Sequence, residues 1–372
     1  MIKRDAYLDK LVHSMGNGYI KVVTGLRRCG KSFLLNTLFY NYLKTNITDE
    51  AHILRFAFDS ADGKPNIDTF VTGSNAKFLS KDRITEFAGR CDQIHMQPLS
   101  FAEFMSVYAG DKYQGLRDYM QFGGLPQVVL ESDPVKKKAH LDTLFREVYL
   151  RDIVLRNKIR NVHYLDDILN ILSSAAGSLS NAEKICKALK SEKHSAIKNT
   201  TVAKYIGYLE DASLIHSAQR FDIKGKRYIG SPLKFYFTDL GLRNSRLNFR
   251  QFEETHLMEN IIYNELLFRG YSVDVGIVES FEKNQNGCSV RKKLEIDFVC
   301  NLDENRIYIQ SALSMPDGEK RSQEIRPFRK LNDAFQKVVI TKDLTPTFHD
   351  EHGILTMNVF DFLLNPNSLK SI

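Results

Sequence analysis

Eight residues near the N-terminus carry the clearest chemistry in this chain. Gly25-Leu26-Arg27-Arg28-Cys29-Gly30-Lys31-Ser32 fits the pattern GxxxxGK[ST]. The two glycines let the backbone turn its N–H groups inward, where side chains would clash. Those N–H groups, with the positive end of a following helix, suit the phosphates of a nucleotide. Lys31 is spaced to reach the β- and γ-phosphates, and the Ser32 hydroxyl to ligate Mg²⁺. The expected ligand is therefore ATP with Mg²⁺, held by Gly25, Leu26, Arg27, Arg28, Cys29, Gly30, Lys31, Ser32 and Phe33. The plainer alternative is a glycine turn carrying an exposed lysine.

Such a loop needs a strand before it and a helix after it, and the sequence supplies both. Tyr19 to Thr24 is a β-branched and aromatic run, and Phe33, Leu34, Leu35, Leu38, Phe39 and Tyr42 then repeat with helical spacing. His52 to Phe58 reads as a second strand and Thr69 to Thr72 as a third, ending at Gly73-Ser74-Asn75. The alternation predicts an α/β unit over residues 1–105. Residues 106–160 read as helical, interrupted at Gly123-Gly124-Leu125-Pro126. Residues 161–250 read as three short helices and a hairpin, and residues 251–372 mix helix and strand again.

The 372 residues are 43% hydrophobic and 26% charged, as in a chain with buried cores. No apolar run reaches the ~18 residues a membrane helix needs, and no signal-type stretch follows Met1. Five scattered cysteines suggest neither a disulfide framework nor a zinc site. These features predict a cytoplasmic protein with no membrane partner. The net charge of +7 is local: Lys184 to Lys234 holds 11 basic and 4 acidic residues, and the remainder is neutral. The segment reads either as a polyanion-facing surface or as a solvated lysine-rich helix pair.

The stretch Ile20 to Ser32 resembles the opening of a prokaryotic family of AAA-type ATPases whose core is followed by a domain of unknown function, DUF4143. Val71-Thr72-Gly73-Ser74-Asn75-Ala76-Lys77-Phe78-Leu79-Ser80 resembles that family's sensor strand. Gly89-Arg90 with Pro98 to Phe104 resembles its next block, and Phe122 to Pro126 with Tyr149 to Ile153 its lid helices. The resemblance implies a P-loop core (1–105), a helical lid (106–160), a winged-helix domain (161–250) and a C-terminal α/β domain (251–372). It also implies a sensor at Ser74 or Asn75. An arginine, Arg90 or secondarily Arg151, would complete the site from the same chain or from a neighbour in a ring, which makes a homo-oligomer a partner to expect.

One part of the family pattern is missing. The second acidic motif, a hydrophobic strand ending in Asp-Glu, should precede the sensor strand, yet Ser60 to Asp68 reads as a turn. Its loss removes the usual acidic partner of Mg²⁺ and the group that orients the attacking water. Asp59, at the end of the second strand, either takes the metal-facing role or merely ends that strand.

In the middle domain, helix, helix, helix and a basic hairpin follow the winged-helix pattern. Thr201, Lys204 and Tyr208 would enter a DNA groove, with Arg220, Lys224, Lys226 and Arg227 on or beside the wing; a protein-docking module is the alternative. In the last domain, Glu259 and Glu265 on an apolar helix, with Leu294 to Val299 and Ile307 to Gln310 as strands, resemble the PD-(D/E)xK nuclease core. Asp297 fits its first metal position, but Gln310 and Ala312 replace the carboxylate and the lysine that cleavage needs. The expectation is a degenerate nuclease fold without cutting. The whole reads as an ATP-dependent switch acting on or near duplex DNA. Its rivals are a non-hydrolysing nucleotide sensor or scaffold, and a nucleic-acid-binding protein with a vestigial loop.

Overall fold

A computed structural model describes residues 2–47, 53, 68–73, 91–193, 196–283 and 289–370. The expected strand at His52 to Phe58 therefore lies, except for Ile53, outside the described residues. Helix α1 (Asp5–Ser14) leads into β1 (Ile20–Gly25), the loop, and a helix α2 that begins at Lys31–Phe33, widens to a π-helix over Leu34–Phe39 and ends as Tyr40–Asn46. Strands β2 (Phe70–Thr72) and β3 (Cys91–Met96) flank β1 on either side, both parallel to it. Parallel neighbours bury β1 on both faces, which is why Lys21-Val22-Val23-Thr24 shows no polar alternation. Lys21 is buried there against the carboxylate of Asp68.

Short helices follow: α3 (Phe101–Met105), α4 (Lys112–Phe122) and α5 (Pro126–Val129). Ser100 and Glu103 close α3 with a reciprocal capping box. A longer helix, α6, begins at Pro134–Thr143, passes through π-helical Leu144–Leu150 and ends at Arg151–Arg156. Next come α7 (Val162–Ser174), β4 (Leu179–Ser180), α8 (Ala182–Lys193) and α9 (Asn199–Asp211), then the hairpin strands β5 (Ile215–Asp222) and β6 (Arg227–Phe237). One buried core joins Val23 and Leu26 at the loop to Leu125 before α5 and to Phe145 and Ile153 of α6, and onward to Leu165, Leu209 and Phe237.

The chain then forms α10 (Leu240–Arg246), α11 (Glu254–Phe268), β7 (Ser272–Lys283), β8 (Ser289–Leu302), β9 (Asn305–Ala312), α12 (Gly318–Ile325), β10 (Gln336–Thr341), β11 (Phe348–His349), β12 (Leu355–Asn358) and α13 (Val359–Leu364). The hairpin does not stand apart from these strands. A single nine-stranded sheet runs β11-β12-β10-β9-β8-β7-β5-β6-β4, with β5 parallel to β7 through Arg220–Asp222 and Val275–Ile277. Alternation along its strands feeds two layers. Phe298, Ile309 and Val338 face α11 and α13, while Val299, Tyr308 and Val339 face the side that carries α12.

Candidate functional site

The loop between β1 and α2 is built by backbone geometry that few residues tolerate. Gly25 has φ +127, and a β-carbon there would stand 2.1 Å from the Met96 carbonyl oxygen, so the close approach of β1 to β3 requires glycine. Gly30 has φ +103 and caps α2, while Arg28 adopts φ 67 in the left-handed region. The Lys31 ammonium donates to the Gly25 carbonyl at 2.9 Å and the Leu26 carbonyl at 2.8 Å, strapping itself across the loop. Burial pulls it down from the ordinary lysine range, so an anion in the loop would strengthen its charged form. Cys29 is buried beside it, and burial holds its thiol protonated. Ser32 and Phe33 are exposed at the first turn of α2, whose leading N–H groups lack partners within the helix. The donors, the cation and the hydroxyl fit a phosphate group and its Mg²⁺.

Other elements grip this loop. Arg4, before α1, donates to the carbonyls of Cys29 and Gln97 and pairs with Glu103 at 3.0 Å. Tyr149, on α6, donates from its hydroxyl to the Arg27 carbonyl at 2.6 Å. Burial keeps that phenol protonated and hence a donor. Asp152, one turn on, takes Arg27 at 3.8 Å and Arg156 at 3.0 Å. Arg151 points to solvent and pairs with Glu147. On β3, His95 stands 3.3 Å from the Thr24 hydroxyl and edge-on to His216 of β5, with ring centres 5.8 Å apart. Burial first, then the Lys31 charge, lowers His95; burial takes His216 down to about 3.

The Gly123-Gly124 turn between α4 and α5 is fixed to the base of the hairpin by Asp239. Asp239 caps α10 through Leu242 N–H and also accepts the Gly124 N–H at 2.8 Å. A β-carbon at Gly123 would lie 2.4 Å from its carboxylate oxygens, which gives Gly123-Gly124 a packing reason. Burial raises Asp239 to about 6 although its N–H partners oppose the shift. Asp59, Ser74, Asn75 and Arg90 lie outside the described residues.

A second polar centre sits between β6, α11 and β8. The Lys234 ammonium is 2.8 Å from Glu295, 2.9 Å from Glu259 and 3.3 Å from Asp297. Burial lowers Lys234, but the three carboxylates outweigh it and hold it above the ordinary lysine value. Glu259 also accepts from the Tyr236 hydroxyl at 2.7 Å, and burial and the Asp297 charge push it up to about 7. Asp297 accepts the Ser311 N–H at 2.9 Å, and Gln310 reaches Glu324 at 3.3 Å. Glu259 and Asp297 thus share the Lys234 ammonium, whereas Glu265 does not join them. It pairs instead with Arg269 one turn along α11.

The basic segment is redistributed. Lys204 is exposed on α9 over the Tyr208 ring, and Lys224, Lys226 and Arg227 are exposed at the hairpin turn. Lys234 and Arg220 are buried. The expectation that Arg220 meets phosphate beside the wing is therefore corrected, because its side chain is buried.

Two family models match parts of the chain. Residues 46–105 match the AAA domain family, and residues 113–253 match a domain of unknown function, DUF8612, in place of the DUF4143 named by the resemblance. An uncharacterised protein of Haemophilus influenzae is 30% identical over 415 residues, covering 98% of this chain and 99% of that protein. That aligned length exceeds the 372 residues here, so the relative has several tens of residues that this chain lacks. An uncharacterised protein of Methanocaldococcus jannaschii is 28% identical over 361 residues, covering 84% of this chain and 78% of its own. Among solved structures, a Walker-type ATPase of Pyrococcus abyssi aligns at 14% identity with a TM-score of 0.46, over 66% of this chain and 96% of its own. Among the described residues no helix is long and apolar enough to cross a membrane.

Proposed function

We propose that this chain, which belongs to the same family as the uncharacterised Haemophilus influenzae protein, is an ATP-dependent switch acting on DNA. The observation that carries the proposal is the Tyr149–Arg27 contact, which ties the phosphate loop to the lid helix α6. The Asp239–Gly124 contact then ties the lid region to the base of the hairpin. Nucleotide at Gly25 to Phe33 has the backbone N–H groups and Lys31 for its phosphates and the Ser32 hydroxyl for Mg²⁺. Adjusting the loop around phosphates moves the Arg27 carbonyl, and Tyr149 carries that movement to α6.

Hydrolysis in this reading is slow. This reading takes the acidic segment before the sensor strand as lost, which leaves Asp59 as the carboxylate for Mg²⁺, Asn75 to orient water and Arg90 to steady the developing charge. The lack of a second acidic motif between Ser60 and Asp68 favours a second reading, a sensor or scaffold that binds nucleotide without turning it over. A partner copy in a ring would supply the arginine if Arg90 of the same chain does not.

DNA contact falls to a winged helix made of α7, α8, α9 and the β5–β6 hairpin, with Lys204 on the reading helix and Lys224, Lys226 and Arg227 on the wing. The order of α11, β7, β8, β9, α12 and β10 supports a nuclease-like unit. Gln310 and Ala312 leave that unit without cutting chemistry, and Lys234 occupies its carboxylates.

A fluorescent ATP analogue titrated into wild type and Lys31→Ala tests the core of this proposal. Wild type should bind in the micromolar range, about 8 kcal/mol at 1 μM, and the variant far more weakly, because a charge-assisted phosphate contact is gone. Equal affinity would refute nucleotide binding at the loop. Phosphate release separates the switch from the sensor: slow turnover that Asp59→Asn abolishes supports the first, and none at all the second.

A further inference from the structure

The sheet brings a second basic cluster to the hairpin turn. Strand β5 runs beside β7, and β7 pairs with β8 so that Glu279, Ser280 and Phe281 oppose Lys293, Lys292 and Arg291. The Lys224 ammonium reaches across to the Glu279 carbonyl at 3.3 Å. At ~4.8 Å per strand, the backbones of Lys224 and Lys293 are about 10 Å apart, within the combined reach of two long side chains. Lys224, Lys226, Arg227, Arg291, Lys292 and Lys293 are all exposed, and Arg291 and Lys293 share the face of β8 that Phe281 opposes, with Lys292 on the other face. Two of these cations are paired, Arg291 with Glu279 and Arg227 with Asp222 at 3.5 Å, so phosphate would exchange for those carboxylates, and Asp274 accepts from Tyr228.

Large apolar groups stand among these cations. Phe281 is 69% exposed, Tyr228 59% and Val290 40%. Exposed aromatics on a positively charged edge are what unpaired bases use as stacking platforms while the cations follow the backbone. A purely duplex-reading wing has no use for an exposed phenylalanine on a neighbouring strand.

We propose that the hairpin turn and the β7–β8 ribbon form one continuous surface for a DNA strand with unpaired bases, Arg291 and Lys293 meeting phosphates and Phe281, on the same face, stacking a base. The inference rests on the DNA-binding reading and narrows its substrate to DNA with a single-stranded portion.

The test is fluorescence anisotropy at several salt concentrations on the full chain, with a single-stranded oligonucleotide and the duplex of the same sequence. Changing Arg291, Lys292 and Lys293 together to alanine should flatten the slope of log affinity against log salt by up to about 1.4 units on the single strand, from two contacts at ~0.7 each. Phe281→Ala should weaken single-strand binding roughly five- to a hundredfold and leave the duplex nearly unchanged. Suppose the Lys224, Lys226 and Arg227 triple variant lowers the slope but the Arg291, Lys292 and Lys293 variant does not. The inference then fails while the wing reading stands. A wild type that binds neither DNA defeats both, and Phe281→Ala weakening duplex and single strand equally overturns the stacking role.

Discussion

Replacing Lys234 by methionine keeps the length of the side chain and removes its charge. Lys234 is 5% exposed, Glu259 9% and Asp297 12% at their side chains, so both of those pairs are buried. Glu295 is 34% exposed and screened by solvent, and its pair contributes ~0–1 kcal/mol. Taking one partner out of a buried pair costs about 3–5 kcal/mol, because the remaining charge has no compensation. The loss should depend on pH. Glu259 already sits near 7 in the folded chain against an ordinary value of 4.5, so folding favours its proton. A raised carboxylate adds stability below its unfolded value, and that stability fades as pH climbs from 4.5 through 7. Without the ammonium the folded value rises further, so the variant should lose most at pH 8 and clearly less at pH 5. The chain has no tryptophan, so urea unfolding is best followed by far-ultraviolet circular dichroism. A drop in the urea midpoint at pH 8 that shrinks at pH 5, and that Glu259→Gln partly restores, is the expected result. A loss below ~1 kcal/mol, or one equal at both pH values, would show that the cage is not a buried ion cluster.

Tyr149→Phe keeps the ring and deletes the donor to the Arg27 carbonyl; hydrogen exchange across residues 144–156 should then stop responding to the ATP analogue, and an unchanged response would break the proposed link from loop to lid. His216 is held neutral by burial, down to about 3 against 6.5. The unfolded chain therefore binds the extra proton, and stability falls as pH drops from 6.5 towards 3, by at most about 5 kcal/mol at ~1.36 per unit. His216→Phe should flatten the decline in melting temperature between pH 7 and pH 4.5, and an identical decline would remove His216 as its cause. Duplex DNA with Mn²⁺ should remain intact, since Gln310 and Ala312 replace the groups that hold metal and handle water; cutting that Asp297→Ala abolishes would reverse this.

The loop was legible because its chemistry is contiguous. Strand, glycines, lysine and helix follow one another within twenty-odd residues, and the pattern of each follows from local sterics. The three helices and the hairpin were legible for the same reason, through helical spacing in Val202, Tyr205, Ile206 and Leu209 and through the turn at Lys224-Gly225. What escaped is contact between distant positions. Tyr149 and Arg27 are 122 residues apart, and Asp239 and Gly124 are 115 apart. Gly123-Gly124 read only as a break between helices, since a glycine states that something comes close but not what.

Charge was the least legible property, for a physical reason. A count along the chain records how many cations a segment has and not where the sheet sends them. Lys234 lies in a stretch of β6, Lys234 to Phe237, that is buried on both faces, so no polar–apolar alternation marks it as inward. It leaves the apparent surface charge to neutralise part of a carboxylate cluster. Arg291, Lys292 and Lys293 move the other way. They lie in a part of the chain whose total charge cancels, but the carboxylates that cancel it are mostly on other elements. Only the β5–β7–β8 pairing joins this cluster to the hairpin turn. A segment's net charge therefore says that polyanion contact is worth testing, and strand order decides which side chains the test must change.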